Sequence, residues 1–231
     1  MMSFSNSRIT PVVLNLIILN VLVYMAQNIF AGNEDPSWIT NTFALHHYKS
    51  DHFHVYQLLT HMFMHGGFFH ILFNMLVLWM FGTPMEKILG SKTFLTFYLI
   101  SGIVAAATQL IDYTVYYNKI DSLVLNAAEQ AQYQFILAKN ATVGASGAIM
   151  GILAGFGYMY PDIKLFIMPI PFPIKAKWAI IGIIAIDVFG GISKVAGDNV
   201  AHFAHIGGAV AGFILVYFWN KNHNNRNNYF R

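Results

Sequence analysis

The amino-acid sequence predicts an all-α fold, a polytopic membrane protein with six transmembrane helices. Of its 231 residues, 56% are hydrophobic and only 10% are charged, whereas about a quarter of the residues of a soluble globular domain carry charge. The apolar residues also occur in blocks of roughly 20, the length that a helix rising about 1.5 Å per residue needs to cross about 30 Å of hydrocarbon. These observations exclude a soluble globular domain.

Six apolar blocks define the predicted spans. They lie at about residues 11–30, 67–83, 93–111, 143–160, 176–190 and 200–219. The first block is long, contains Asn15 and Asn20, and is followed by no small-residue cleavage pattern, so we interpret it as a retained helix and not as a signal peptide. The fifth block is short, with Asp187 near its end, and it is the candidate for a mobile gate.

The segments between and beyond the spans have their own composition. The connection 31–66 mixes aromatic side chains with six histidines, which is typical of a segment resting in the membrane interface. The connection 112–142 is polar and amphipathic, and we expect it to be helical in part. Residues 220–231 are rich in Asn and predict a disordered cytoplasmic tail. Residues 11–219 then form the membrane-embedded domain, preceded by a short cytoplasmic segment, residues 1–10.

The cations predict that both termini are cytoplasmic. If the spans alternate in direction, nine lysines and arginines lie on the side of the N-terminus and four on the other side, as the positive-inside rule requires. The nine are Arg8, Lys87, Lys92, Lys164, Lys175, Lys177, Lys221, Arg226 and Arg231, and the four are Lys49, Lys119, Lys139 and Lys194. Because the six-span layout is compact, the expected location is the inner (plasma) membrane of a bacterium.

Several kinds of site and partner are excluded by composition. The chain has no cysteine, so it can hold no disulfide, thiolate zinc site or cysteine nucleophile. The net charge of +3 comes from scattered residues, which predicts no nucleic-acid surface. No internal repeat supports a transporter. We therefore expect no cofactor and no metal, and we expect the partners to be other membrane proteins within the lipid bilayer.

Polar residues inside the predicted spans indicate function, because an unpaired polar group in hydrocarbon costs several kcal/mol. Three such clusters occur at one depth in the outer half of the membrane: Gly144 to Gly147 in span four, His202 to Gly208 in span six, and His70 to Asn74 in span two. A serine becomes a nucleophile when an imidazole takes its proton, so Ser146 can pair with a histidine of span six. His70 and Asn74, four residues apart, can direct donors at an oxyanion.

Glycines indicate which histidine is the base. Gly147, Gly151 and Gly155 recur every four residues in span four, and Gly208 and Gly212 do so in span six. Two such smooth stripes allow helix backbones to approach closely. His205 lies on the same face as the glycines of span six, so we assign it as the base and interpret His202 as a neighbour on the water side.

These residues resemble a known family. The sequence is similar to the rhomboid intramembrane serine proteases in its six spans, in the GxSG motif of Gly144 to Gly147, in the His205-Ile206-Gly207-Gly208 of the last span, and in His70 with Asn74. The stretch from Thr60 to Gly90 also looks like the family's second span and its flanks. The resemblance covers roughly residues 11–219 and implies a six-helix rhomboid-like bundle.

The resemblance implies a role for each site residue. Ser146 would be the nucleophile and His205 the base of a dyad without a third carboxylate, while His70, Asn74 and the Ser146 N–H would bind the oxyanion. The substrates would be transmembrane proteins, and the loop after span one would lie in the outer leaflet. Where the family often has Trp-Arg ahead of the threonine matched by Thr60, this sequence has Tyr56-Gln57, so the anchoring of that loop stays open.

Two alternatives belong to other functional classes. A catalytically inactive relative that binds transmembrane clients would share the bundle, but its usual mark is loss of the serine or the histidine, and both are present. A histidine-based metal transporter is suggested by ten histidines, with His61 and His65 four residues apart. However, the sequence has no HExxH motif, and His70 lies about 140° from His65 on a helix.

Overall fold

The computed structural model consists almost entirely of helices. It describes residues 8–30, 37–121, 126–167, 170–193 and 200–229. The α-helices are α1 (Pro11–Phe30), α2 (Trp38–Phe43), α3 (Gln57–Thr60), α4 (Phe68–Val77), α5 (Thr83–Leu89), α6 (Ser91–Asp121), α7 (Ala127–Lys139), α8 (Ser146–Met159), α9 (Ala176–Ser193) and α10 (His202–Tyr229). A 3₁₀ turn at His61–Phe63 follows α3, and a π-helical stretch at Leu78–Gly82 joins α4 to α5. The predicted cytoplasmic segment lies mostly outside the described residues.

Five helical segments in the described residues are long and apolar enough to cross a membrane. They are Pro11–Phe30, Phe68–Leu89, Ser91–Asn118, Ala176–Ser193 and His202–His223. Large apolar side chains cover their outward faces, among them Ile29, Phe73 and Phe189, which are 69%, 59% and 72% exposed. Such surfaces need lipid as their solvent. The predictions of an all-α polytopic membrane protein and of spans one, two, three, five and six are confirmed.

The fourth span is shorter than predicted. Helix α8 has 14 residues, Ser146–Met159, and thus rises about 21 Å, less than the thickness of the hydrocarbon. Residues 147–157 of this helix are all buried, so α8 is enclosed by the other helices. The chain before α8 is extended, and Leu45 and Thr142 exchange two backbone hydrogen bonds of 2.9 Å. Residues 143–145 therefore belong to the loop network and not to the span.

Helices α8 and α10 touch through their backbones. A Cβ atom at Gly208 would overlap the carbonyl group of Gly147, and one at Gly212 would overlap the backbone of Gly151. Glycine is thus required at both positions of α10 by the close approach of the second helix. The predicted packing of the two glycine stripes is confirmed, whereas Gly155 contacts Met85 and Phe97 instead.

A buried carboxylate fixes the start of α1. Glu86 of α5 is 2% exposed, and its two oxygens accept hydrogen bonds from the backbone N–H groups of Val12 and Val13, at 3.1 and 2.9 Å. The Ser91 hydroxyl donates a third hydrogen bond, of 2.6 Å. A negative charge at a helix N-terminus is favourable because the free N–H groups carry partial positive charge. Glu86 therefore joins span one to span two inside the bundle.

The loop after span one is anchored by Gln57. Its buried side-chain Nε2 lies within hydrogen-bond distance of the carbonyl oxygens of Asn41, Thr42 and His52, at 3.3, 3.1 and 2.7 Å. Its carbonyl oxygen accepts from the N–H of His46 at 3.3 Å. The neutral amide of Gln57 thus anchors the loop after span one, at the position where the family often has the arginine of Trp-Arg.

The connection between spans three and four is helical, in agreement with its amphipathic pattern. Helix α6 continues to Asp121, and α7 packs its Tyr133 and Leu137 against Tyr117 of α6. Gln134 connects α7 to the loop after span one, since its side-chain amide donates to the Lys49 carbonyl oxygen at 3.2 Å. The two long connections therefore form one layer over the same end of the bundle.

Besides the length of the fourth span, two further features differ from the sequence prediction. Helix α10 continues to Tyr229, through residues for which a disordered tail is predicted. Extending an existing helix adds one hydrogen bond for each residue ordered, so a polar segment can follow an apolar helix without a new nucleus. A two-stranded antiparallel ladder, Lys164–Leu165 with Ile174–Lys175, also joins α8 to α9, and no pattern in the sequence predicts it.

Gly208→Val tests the contact between α8 and α10. We expect it to destabilise the protein by about 1–3 kcal/mol or more, because the new side chain must separate the two helices. Thermal unfolding of the purified protein in detergent measures this effect. Gly182→Val in α9 is the matched control, since no atom lies within 4 Å of a Cβ at that position. Equal stability of the two variants would contradict the packing.

Candidate active site at the start of α8

Ser146 and His205 are joined by a hydrogen bond. The distance between Ser146 Oγ and His205 Nε2 is 2.8 Å, within the range of a nucleophile and its base. Ser146 is the first residue of α8 and His205 lies in the first turn of α10. The glycine contacts of the two helices begin one and three residues further along their chains, at Gly147 and Gly208, and this close approach brings the two side chains together.

The other ring nitrogen of His205 contacts a carboxylate. His205 Nδ1 lies 2.9 Å from Asp187 Oδ1, and His202 Nδ1 lies 2.8 Å from the same oxygen. Asp187 belongs to α9 and its side chain is only 8% exposed. The resemblance implies a dyad without a third carboxylate, so Asp187 is an addition to the expected site.

The sequence contains one signal that points to Asp187. It is an ionisable residue within an apolar block, and such a residue is by default a candidate for function. Asp187 and His205 are 18 residues apart and lie on different helices, so no periodicity within one helix connects them.

His70 lies beside Gly144, the first residue of the GxSG motif. A Cβ at Gly144 would lie 2.9 Å from Nε2 of His70 and 3.5 Å from Oγ of Ser146, so both side chains flank one point. Gly144 has φ of 129°, a conformation that L side chains rarely adopt. The N–H of Gly144 donates to the His61 carbonyl at 2.9 Å. Only glycine therefore satisfies both the backbone and the space at this position.

The turn before His70 is held by α1. The side-chain amide of Gln27 pairs with the backbone of His65, accepting from its N–H at 2.9 Å and donating to its carbonyl at 3.2 Å. The N–H of Gly66 donates to His70 Nδ1 at 3.4 Å. With Nδ1 as an acceptor, the proton of the neutral His70 ring is on Nε2. His70 thus presents a donor on the side that faces Gly144.

Asn74 follows His70 by one turn of α4. Its side chain is buried, and its Nδ2 group has no hydrogen-bond partner among the described residues. An unpaired amide in a protein interior is costly, so it indicates a ligand or water as its partner. The first turn of α8 adds backbone donors, because the N–H groups at a helix start have no acceptor within the helix. The structure therefore brings Ser146, His205 and His70 together and leaves Asn74 with a free donor.

Two further histidines are buried near the site. His61 Nδ1 donates to the Gln57 carbonyl at 2.9 Å, and burial lowers the pKa of His61 to about 4. The ring of His65 lies 5.1 Å from that of His70, and burial, together with the neighbouring imidazole, lowers the pKa of His65 to about 4. Within the described ranges, no three His, Asp or Glu side chains are grouped to hold a metal ion.

Known proteins share this sequence pattern. The model of the Rhomboid domain family matches residues 52–222. The chain belongs to the rhomboid family. The membership inferred from the GxSG motif, the last-span histidine and the His70–Asn74 pair is confirmed, and with it the rhomboid-like bundle.

Three relatives of this rhomboid show how far the likeness extends. "Rhomboid protein 1, mitochondrial" of Saccharomyces cerevisiae is 28% identical over 159 residues, which cover 69% of this chain and 40% of that protein. "Rhomboid protease GluP" of Bacillus subtilis is 30% identical over 162 residues, 70% of this chain and 25% of that protein. "Rhomboid protease AarA" of Providencia stuartii is 31% identical over 217 residues, which cover 87% of this chain and 70% of that protein. The chain thus spans less than half the length of the first two.

The buried histidines predict that acid destabilises this rhomboid. The unfolded chain binds a proton at each histidine near pH 6.5, whereas the folded protein does so near pH 4 at His61 and His65. The contribution of each neutral histidine to the free energy of unfolding is therefore fully present above about pH 6.5. It falls by up to about 1.4 kcal/mol per pH unit as the pH drops from there towards 4. Thermal midpoints in detergent between about pH 7.5 and about pH 4.5 measure this dependence.

Single variants separate the contributions. His61→Gln retains a donor for the Gln57 carbonyl without a titrating ring, so its midpoint should fall less steeply with acid than that of the wild type. His54 is exposed, and His54→Gln should follow the wild type throughout. A midpoint that stays constant in the wild type over this pH range would contradict the prediction.

Proposed function

We propose that this rhomboid is an intramembrane serine endopeptidase that hydrolyses a peptide bond in or near a transmembrane segment of a substrate protein. The observation that carries the proposal is the 2.8 Å hydrogen bond between Ser146 Oγ and His205 Nε2. Its family and the names of two bacterial relatives, GluP and AarA, as rhomboid proteases give further support.

The reaction proceeds through an acyl-enzyme. His205 Nε2 takes the hydroxyl proton of Ser146 as Oγ attacks the scissile carbonyl carbon. The imidazolium then gives this proton to the leaving amine, and the C–N bond breaks. In the second half, His205 takes a proton from water, which attacks the ester, and returns it to Ser146. Both halves need the same contact between the two side chains.

The tetrahedral intermediates need hydrogen-bond donors for their oxyanion. We assign this role to His70, Asn74 and the backbone N–H of Ser146. The proposal is supported by the Gly66 N–H that donates to Nδ1 of His70 and so leaves the proton of a neutral ring on Nε2. It is also supported by Nδ2 of Asn74, which has no partner among the described residues, and by the N–H groups of the first turn of α8, which have no acceptor within the helix. Donors fixed in advance are effective because they need no reorganisation when the charge develops.

Water and substrate reach the site from the end of the bundle that the long connections cover. The scissile bond must leave its helix first, because carbonyl groups in an intact helix are already hydrogen bonded. We therefore expect substrates with small or helix-breaking residues near the outer membrane edge. Helix α9, which carries Asp187, is the proposed gate for their entry.

The same proposal includes the orientation and the extent of the enzyme. Both termini face the cytoplasm, since nine of thirteen Lys and Arg residues then lie on that side. The inner (plasma) membrane of a bacterium is the proposed location, supported by the bacterial relatives, although the yeast relative is named mitochondrial. Residues 11–219 form the protease domain, and it works without metal, cofactor or nucleic acid.

Removal of Ser146 or His205 should abolish proteolysis. We expect co-expression with tagged single-pass membrane proteins to give a cleavage product with the wild type and none with Ser146→Ala or His205→Ala, at equal expression. A fluorophosphonate should label the wild type and Ser193→Ala, whose serine lies at the end of α9, but not Ser146→Ala. Cleavage that survives both site variants would refute the dyad, and a wild type that binds substrates without cutting them would favour an inactive client-binding rhomboid.

Removal of one oxyanion donor should slow cleavage without stopping it. Asn74→Ala is expected to reduce kcat by about 10²- to 10³-fold, because His70 and the Ser146 N–H still bind the oxyanion. The rate of a purified substrate in liposomes measures this loss. Asn28→Ala serves as the control, since Asn28 is an exposed amide that donates to the Tyr24 carbonyl of its own helix. An Asn74→Ala rate equal to that of the control would remove Asn74 from the oxyanion site.

A further inference from the structure

We propose that Asp187 is a positioning residue for His205. With Ser146, the two residues form a chain of three hydrogen-bonded side chains on α8, α10 and α9. This inference rests on the proposed function and adds a residue to it. The dyad needs His205 to accept a proton at Nε2, and the contact of Asp187 with Nδ1 selects the form of the ring that can do so.

The three groups lie in one line of hydrogen bonds. Asp187 Oδ1 is 2.9 Å from His205 Nδ1, and His205 Nε2 is 2.8 Å from Ser146 Oγ. The two contacts use opposite nitrogens of one imidazole. A group that accepts a hydrogen bond at one nitrogen therefore controls what the other nitrogen can do.

The carboxylate determines where the ring proton is. An ionised carboxylate can only accept hydrogen bonds, so the Nδ1 atoms of His205 and His202 must both be donors to Asp187. A neutral imidazole has one proton, which is then on Nδ1, and Nε2 of His205 is left with a free lone pair towards Ser146. The same negative charge stabilises the imidazolium that forms when Ser146 attacks.

The packing of α9 holds the carboxylate in place. Asp187 is 6% exposed, and a buried carboxylate without donors would be strongly unfavourable. Two donors from α10 satisfy it. One turn further along α9, Gly190 and Gly191 leave room for the rings of His202 and Phe203, so the two helices meet closely beside Asp187. The contacts of His202 and Phe203 with α9 therefore hold Asp187 beside His205.

A purely structural role for Asp187 would have different consequences. It would change the stability of the protein but leave the folded molecules with a normal kcat and an unchanged His205 ring. A positioning role changes kcat and the location of the ring proton, even where the variant folds well. KM should stay near the wild-type value, because Asp187 does not touch the substrate in this scheme.

Two variants and one spectrum test the proposal in the whole 231-residue chain. Asp187→Asn retains the shape without the charge, and Asp187→Leu removes the acceptor at similar volume. We expect kcat for a purified transmembrane substrate in liposomes to fall by about 10²-fold or more in both variants, at nearly constant KM. Asp162→Asn is the control, since this exposed carboxylate pairs with Lys175 and Lys177 after the far end of α8.

The ¹⁵N spectrum of the imidazoles reads the ring proton directly, with the His205 signals identified by their loss in His205→Gln. The wild type should show a protonated Nδ1 and an unprotonated Nε2, and Asp187→Leu should show a mixture of both forms. A kcat in Asp187→Leu within about threefold of the wild type, or an unchanged spectrum, overturns the proposal. If the wild type does not cleave, the proposed function fails, and the spectrum still decides whether Asp187 controls the ring.

Discussion

The direct contact between the backbones of α8 and α10 is the constraint on which the site depends. Gly208 rests on the carbonyl of Gly147 and Gly212 on the backbone of Gly151, so two helices that a pair of leucines would hold apart are in contact. Lipid gives helices no hydrophobic reason to associate, and close packing of small residues takes that place. Only at this separation can a side chain as short as serine reach an imidazole on the next helix.

Two buried carboxylates illustrate how an apolar bundle can hold charge. Glu86 accepts three hydrogen bonds, and Asp187 accepts two. Each carboxylate joins elements from different spans, so satisfying the charge also fixes the relative position of the helices. Because Asp187 belongs to α9, a displacement of that helix would also take the acceptor away from His205. If α9 is the gate, as proposed, its opening would therefore also disturb the proposed base, His205.

Much of this architecture follows from local sequence, and the remainder depends on distant contacts. The helix Pro11–Phe30 agrees with the predicted span, because a long apolar block without a charged residue and a proline at its start define it. The pairing of Ser146 with His205 was also predictable, since the glycine spacing marks the faces that meet. The length of α8 was not, because the apolar run from Val143 does not show that Gly144 bonds to His61. Asp187 was missed for the same reason: its partners lie on another helix.

The burial of residues 147–157 of α8 has a consequence for the depth of the proposed reaction. A helix that borders lipid must match its apolar length to the bilayer, and it tilts or shifts when the thickness changes. Residues 147–157 of α8 are all buried within the protein, so this stretch needs no such match. The level of Ser146 is therefore set by the surrounding protein, so the proposed cleavage would reach the same bond of a substrate in thin and thick membranes.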